Sequence, residues 1–283
     1  MTHNEALSHF NINQTNLLGE GGEAQVYALD ETHIVRLYRQ GATVEGAAER
    51  TALLAEIAAG ATHLPFETPV VFEQGVFNDR VYTIEKRIAG TSLLNALTQA
   101  DADTRRSLIE QYMEAAWRLG EIEIERPFFG EIGRNDAIQT STWQAYLIER
   151  AKRSLNASPL AHLDATRWAA ALGESAEAPA FIHLDYFAGN VMADGDRLNA
   201  VIDFGYSSIM GDRRMNAMVA ATHLVTPRIT PIVTATDRAV AFAWLREREL
   251  FDYYERGIPW LAAYWTFAHD DAPLYEWCCS ILK

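Results

Sequence analysis

His183-Leu184-Asp185-Tyr186-Phe187-Ala188-Gly189-Asn190, followed after a short interval by Asp203-Phe204-Gly205, is the stretch on which the reading of this sequence turns. Around it lie compact β-type runs at 181–183, 191–193 and 200–204, with Asp194-Gly195 supplying turn chemistry between the last two. Moving a phosphoryl group demands such a set of oxygens. Its transition state is stabilised chiefly by positioning and by metal charge, so a carboxylate is needed beside the attacking hydroxyl and hard oxygen ligands are needed for magnesium. In that reading Asp185 orients or deprotonates the hydroxyl, Asn190 and Asp203 hold the ions, and His183 braces the loop by hydrogen bonding. Either fragment alone is what a polar hairpin loop often contains, but both in order at this spacing favour the chemical reading.

Upstream, Leu18-Gly19-Glu20-Gly21-Gly22-Glu23-Ala24-Gln25-Val26-Tyr27 is a glycine-rich turn between two apolar runs. Gly19, Gly21 and Gly22 let backbone N–H groups approach phosphate oxygens where a Cβ would obstruct them, although such a cluster is often only a hairpin. Its position before a β-type run at 34–38 matters, because a nucleotide site of this kind next needs a strand cation paired with a carboxylate on the following helix. Arg36 and Glu49 stand where these are expected, with Arg39 the nearest alternative cation; the plainer reading makes them a solvent-facing strand residue and a helix-surface charge. The helix is expected at 43–59, with Ala47, Leu54 and Ile57 on one face and Gly60 as the stop. Further β-type runs at 26–29, 70–75 and 81–87, with Asn78-Asp79 as a turn, complete a small antiparallel sheet.

From Ser92 onward the pattern is helical, for example at 104–123 and 141–155. The second helix opens on Ser141 and Gln144 at capping-box spacing and sets Trp143, Leu147 and Ala151 on one stripe. The expectation is a two-part α+β chain: residues 1–88 as a nucleotide-binding lobe built on a small antiparallel sheet with one helix, a hinge at about 84–90, and residues 89–283 as a larger, mainly helical lobe.

The whole-chain properties agree. A length of 283 residues, with 49% hydrophobic and 22% charged, suits one large domain or two coupled lobes. The net charge of −14 opposes nucleic acid or an anionic membrane as a partner. There is no apolar run of about 18 residues and no secretory pattern at 1–10, so a cytoplasmic location is the default expectation. The two cysteines, Cys278 and Cys279, are adjacent and read as thiols of a C-terminal helix rather than as a disulfide or metal site.

On these motifs the chain resembles the aminoglycoside phosphotransferase family, a branch of the protein-kinase-like fold that includes choline, homoserine and macrolide kinases. The resemblance runs from the glycine loop through Arg36, Glu49, the hinge-like Thr83-Ile84-Glu85-Lys86-Arg87-Ile88-Ala89-Gly90, the loop at 183–190 and Asp203, into helices after Gly211-Asp212. It implies a bilobal protein-kinase-like fold, ATP or GTP with Mg2+, and backbone groups of Lys86 and Ile88 against the nucleotide base. Two departures stand out: Arg36 replaces the lysine of most relatives, and Asn216 replaces an aspartate that braces the catalytic segment in many of them. Thr142-Trp143, the block at 181–211 and Asp270-Asp271-Ala272 look most like hygromycin-type aminoglycoside kinases.

The resemblance also implies an acceptor bound between the catalytic loop and the C-terminal helices. Asp270 and Asp271 are the candidate partners of a cationic acceptor there, with Asp252, Glu255 and Glu276 nearby, while Trp260, Tyr264, Trp265 and Phe267 line a sugar pocket or, at helical spacing, form core. Three readings follow. The first is a small-molecule O-kinase of antibiotic-resistance type with a cationic acceptor; the second, a metabolic kinase for an amino alcohol, sugar, macrolide or other natural product; the third, a non-catalytic nucleotide-binding relative. Intact Asp185, Asn190 and Asp203 count against the third. A monomer or a homodimer suits any of them.

Overall fold

The computed structural model describes residues 3–133, 136–227, 229 and 231–283. Five strands, β1 (Leu17–Glu20), β2 (Ala24–Ala28), β3 (His33–Tyr38), β4 (Val71–Phe77) and β5 (Arg80–Lys86), form an antiparallel sheet in the order β1-β2-β3-β5-β4. Alternation divides its faces. Tyr27, Val35 and Leu37 point to one side, where Ala6 and Leu7 of the short helix α1 (His3–His9) and the following Ile12 cover them. Val26, Ile34, Arg36 and Glu85 line a cleft on the other. The β4–β5 hairpin closes through Asn78 and Asp79, both left-handed (φ 51° and 60°), as the turn chemistry predicts.

Helix α2 (Val44–Gly60) starts where Thr43 accepts a hydrogen bond from the Gly46 N–H, and it buries Ala47, Leu54 and Ile57 as expected. Its inner face joins the main core, and Gly60 lies so close to Glu123 that a Cβ would sit 2.7 Å from that carbonyl oxygen. The chain then leaves the sheet through 87–90. Gly90 is obligatory there: its φ is 89°, and a Cβ would sit 2.1 Å from the Ala193 carbonyl oxygen.

The larger lobe is mainly helical. Its helices are α3 (Leu93–Gln99), α4 (Ala102–Leu119), α5 (Trp143–Asn156), α6 (Thr166–Leu172), α7 (Arg214–His223), α8 (Ala235–Glu247), α9 (Phe251–Trp265) and α10 (Ala272–Ile281). The remaining strands are β6 (Thr91–Ser92), β7 (Phe129–Glu131), β8 (Gln139–Thr140), β9 (Ala180–His183), β10 (Val191–Asp194), β11 (Arg197–Val201) and β12 (Ser208–Gly211), in sheets ordered β11-β10-β6 and β8-β7-β12-β9. Trp143, Tyr112, Tyr146, Tyr186 and Trp260 are fully buried here. The α+β bilobal architecture is therefore the expected one.

Several local expectations shift. α4 ends at Leu119, short of 123, at the Gly120 cap. α5 is capped by Thr142, which accepts from the Ala145 N–H, so Ser141 and Gln144 form no capping box. The run expected at 200–204 stops as strand β11 at Val201 because Asp203 adopts φ 65°, outside any strand. Both cysteines are free thiols, and among the described residues no helix is long and apolar enough to cross a membrane.

Candidate active site

The loop 184–190 is held rigidly by its own backbone and by its neighbours. Tyr186 N–H donates to His183 O, Phe187 N–H to Asp185 O and Asn190 N–H to Phe187 O, while Leu184 N–H donates to Ser207 O beyond the Asp203 segment. Two buried tyrosines clamp it from below. The Tyr112 hydroxyl donates to Tyr186 O (3.0 Å) and the Tyr186 hydroxyl returns the bond to Tyr112 O (2.8 Å). Asn190 Nδ2 donates to Asp185 O (2.9 Å) and to Asp185 Oδ2 (3.2 Å), fixing the carboxylate on the loop. Asn190 O accepts from Ile202 N–H, which delivers Asp203 beside it.

His183 is wholly buried. Its Nε2 meets Ile202 O at 3.2 Å, its ring lies 4.9 Å from that of Phe204, and desolvation holds its pKa down to about 4, so it is neutral at ordinary pH. It sits under the loop as a brace. Asn216, the second departure, fills the bracing position with an amide that uses both ends: it accepts from His183 N–H (3.1 Å) and donates to Phe181 O (2.8 Å).

The strand cation pairs differently from expectation. Arg36 Nε donates to Glu85 Oε1 at 3.1 Å and its Nη1 lies 3.8 Å from Asp203 Oδ1, whereas Glu49 is an exposed residue of α2. The inward-facing residue of α2 is Arg50, whose Nη1 reaches the same Glu85 oxygen at 2.9 Å. Thr83 Oγ1 adds a third bond at 2.7 Å. Burial pushes the Glu85 carboxyl up, yet the two guanidiniums and Thr83 outweigh it and hold its pKa below the ordinary value. Helical spacing carries the signal for Arg50, since position 50 falls on the stripe 47, 54, 57; strand alternation puts Glu85 on one face with Thr83. Arg39, the alternative cation, instead pairs with Glu20 at the glycine loop.

Two clefts meet at this point. One, of about 410 Å³, is lined by Gly19, Val26, Arg36, Glu85, Lys86, Ile88 and residues of β10 and its approach. Within it the Lys86 N–H donates to Val70 O, the Lys86 side chain pairs with Glu67 at 2.7 Å, and the Ile88 N–H donates to no group among the described residues. A Cβ at Gly19, Gly21 or Gly22 would meet no atom within 4 Å, so nothing in the polypeptide itself requires glycine there. The glycines are what a ligand under the loop would need.

The second cleft, of about 580 Å³, contains Asp185 and Asp203 and is walled by Glu23, Arg50, Glu131, Arg150, Arg153, Tyr264 and Phe267, among others. Glu131, 3% exposed, is consumed by Arg150 (3.0 Å), Arg153 (3.2 Å) and the Ile138 N–H (2.9 Å). Arg150 also lies over the Tyr264 ring at 4.5 Å. Asp270 and Asp271 do not line this cleft: Asp270 is fully exposed, and Asp271 caps α10 by accepting from Leu274 N–H. Asp252 is exposed and paired with Arg256, and Glu255 and Glu276 are also exposed. The aromatic series divides, with Tyr264, Trp265 and Phe267 at the cleft and Trp260 in the core, its indole N–H donating to Leu147 O.

Asn190 and Asp203 are the groups here that could hold a hard cation. Asn190 spends its Nδ2 on Asp185, which leaves its Oδ1 as an acceptor, and the Asp203 side chain is half exposed. A carboxylate and an amide oxygen suit a hard cation that keeps water and phosphate as its other ligands. Among the described residues no cluster of three or more His, Cys, Asp or Glu forms a self-sufficient metal cage.

Solved structures share this architecture. The chain superposes on ADP-bound aminoglycoside phosphotransferase APH(2'')-Ib with a TM-score of 0.65 at 16% identity, covering 99% of this chain and 96% of that one. It matches the streptomycin–ATP complex of APH(2")-IIa with a TM-score of 0.62 at 14% identity (99% and 95% covered), and an ethanolamine kinase of Plasmodium vivax with 0.57 at 11% identity (93% and 80% covered). At such identities the likeness is one of fold. No curated protein is matched by sequence. The model of the phosphotransferase enzyme family, APH, matches residues 15–250, well over half of the length, and the chain belongs to that family.

Proposed function

We propose that this kinase-type enzyme transfers the γ-phosphoryl group of ATP or GTP to a hydroxyl of a small molecule held in the cleft of Asp185. The observation that carries the reading is that the cleft of Asp185 and Asp203 adjoins the cleft of Arg36, with Arg36 3.8 Å from Asp203 and Asn190 bonded to Asp185. The nucleotide lies under the glycine loop with its base against the backbone of Lys86 and Ile88, and its phosphates reach Arg36. Asn190 Oδ1 and Asp203 would hold Mg2+, whose charge offsets that of the β- and γ-phosphates. Asp185, fixed by the Asn190 amide, accepts the hydroxyl proton as the acceptor oxygen bonds to the γ-phosphorus. The bond from that phosphorus to the β-phosphate oxygen breaks, leaving ADP or GDP. His183 and Asn216 hold the loop and take no proton.

For the acceptor, an aminoglycoside is supported by the named ligands of the similar solved structures. A neutral hydroxylated acceptor such as a sugar is supported by the cleft itself, where three guanidiniums and aromatic rings form the wall and Glu131 is already neutralised. Nucleotide consumption measured by a coupled assay against aminoglycosides, amino alcohols, macrolides and neutral sugars, with mass spectrometry of the product, tests both. One added phosphate on any acceptor supports the kinase reading, and its class chooses between the two. Absence of magnesium-dependent nucleotide binding contradicts the kinase reading.

A further inference from the structure

We infer that Arg50 is a second guanidinium of the phosphate end of the site, supplying a positive charge for the γ-phosphoryl group and positioning Arg36 through their shared carboxylate; the inference rests on the kinase reading above. The charge count leads to it. Glu85 Oε1 receives Arg36 Nε at 3.1 Å and Arg50 Nη1 at 2.9 Å, so one buried carboxylate serves two guanidiniums, and the next carboxylate is the half-exposed Asp203, 3.8 Å from Arg36. A cation on a strand paired with a carboxylate on the helix would be neutral. Here the carboxylate stands on β5 and the helix contributes another cation.

Burying a guanidinium that shares its one buried counter-charge is costly unless something further answers it. The Arg50 side chain is only 9% exposed; its Nη1 also meets the Tyr38 hydroxyl at 3.3 Å, and its Nη2 is buried without a hydrogen-bond partner. The other charged groups facing the cluster are Asp203, 3.8 Å from Arg36 and half exposed, and Glu23, which is exposed. Asp203 is also the carboxylate proposed to hold Mg2+, so it does not remain to neutralise Arg50. The group that would is a polyphosphate.

Location agrees with charge. Arg36 and Glu85 line the nucleotide cleft, while Arg50 lines the acceptor cleft with Asp185 and Asp203, so the three residues span the boundary that a transferring phosphoryl group crosses. The transition state spreads charge over three equatorial oxygens there, and a fixed cation at short range in a partly desolvated site acts on it without needing direct contact.

The test compares Arg50→Met, Arg50→Lys and wild type for binding of nucleoside, diphosphate and triphosphate in the adenosine and guanosine series, by isothermal titration with magnesium, with Tm as the folding control. Loss of the charge is expected to weaken the triphosphate about tenfold and the diphosphate less, to leave the nucleoside unchanged, and to be largely repaired by lysine. Should methionine at this position fail to fold, Arg50→Gln is expected to give the same graded loss. An equal loss across all three ligands assigns Arg50 a merely structural role and overturns the inference, as does unchanged triphosphate affinity. A wild-type protein that binds neither series contradicts the kinase reading itself, a result distinct from either.

Discussion

Replacing Glu85 by glutamine removes the charge that holds two guanidiniums together, and the structure fixes how large the effect should be. The carboxylate is 3% exposed and takes bonds of 3.1, 2.9 and 2.7 Å from Arg36, Arg50 and Thr83. Removing one partner from such a buried ionic cluster costs about 3–5 kcal/mol, because the remaining charges stay buried and unpaired. In a chain of this length that lowers Tm by about 5–8 °C. Glu49→Gln, on the exposed face of α2, is expected to change stability by less than about 0.5 kcal/mol. Denaturant unfolding of the two variants, with Arg36→Met for a double-mutant cycle, separates the arrangements. Arg36 and Glu85 should couple by about 2 kcal/mol, and Arg36 and Glu49 should be additive. A Glu49 variant that loses as much as the Glu85 variant, or additivity between Arg36 and Glu85, refutes the assignment of the partner carboxylate.

His183 has its pKa depressed from 6.5 to about 4, so the unfolded chain binds the extra proton first as pH falls; its contribution is complete above pH 6.5 and is lost between there and about 4. Unfolding free energy measured across that window should fall by roughly 3 kcal/mol on this account, and a His183→Gln variant should lack that part of the slope. Asn216→Asp puts a carboxylate against the Phe181 carbonyl oxygen in place of an amide donor, and should cost about 2 kcal/mol in chemical denaturation at neutral pH. A fully stable Asn216→Asp protein would mean that this amide is not what ties α7 to β9.

Much of this fold was legible in the sequence because period and turn chemistry carry it. Strands β2 to β5 of the first sheet, the Asn78-Asp79 turn, the stripe of α2 and the loop at 183–190 all sit within a few residues of where their patterns put them. β1 gives no such signal: Leu17–Glu20 is mostly exposed and includes a glycine, so it lacks alternation. α5 starts one residue later than its capping pattern suggests because Ser141 and Thr142 are both competent caps, and only the path of the chain chooses between them.

The site shows the same limit more sharply. Asp185, Asn190 and Asp203 come together because short chain segments and a hairpin hold them, a relation that spacing along the sequence expresses well. The partner of Arg36 depends on which of two adjacent helix residues turns inward and on a carboxylate 49 positions away across β3 and β5. Motif spacing favoured Glu49, whereas Arg50 is the residue that stands on the buried stripe of α2 with Ala47, Leu54 and Ile57. Asp270 and Asp271 failed as cleft residues for a related reason: residence in the right part of the chain says nothing about direction, and both belong to the turn that starts α10.

The most direct measurement is the phosphorylation of a confirmed acceptor by Asp185→Asn alongside nucleotide binding by the same protein. An amide keeps the shape of the side chain but cannot take the hydroxyl proton, so turnover should fall by roughly 10²-fold or more while magnesium–nucleotide affinity stays close to wild type. Mass spectrometry should find one added phosphate on the acceptor with wild type and almost none with the variant. A variant that phosphorylates the acceptor at the wild-type rate contradicts the account at its centre, and a loss of nucleotide affinity equal to the loss of rate would make Asp185 a metal ligand instead of the base.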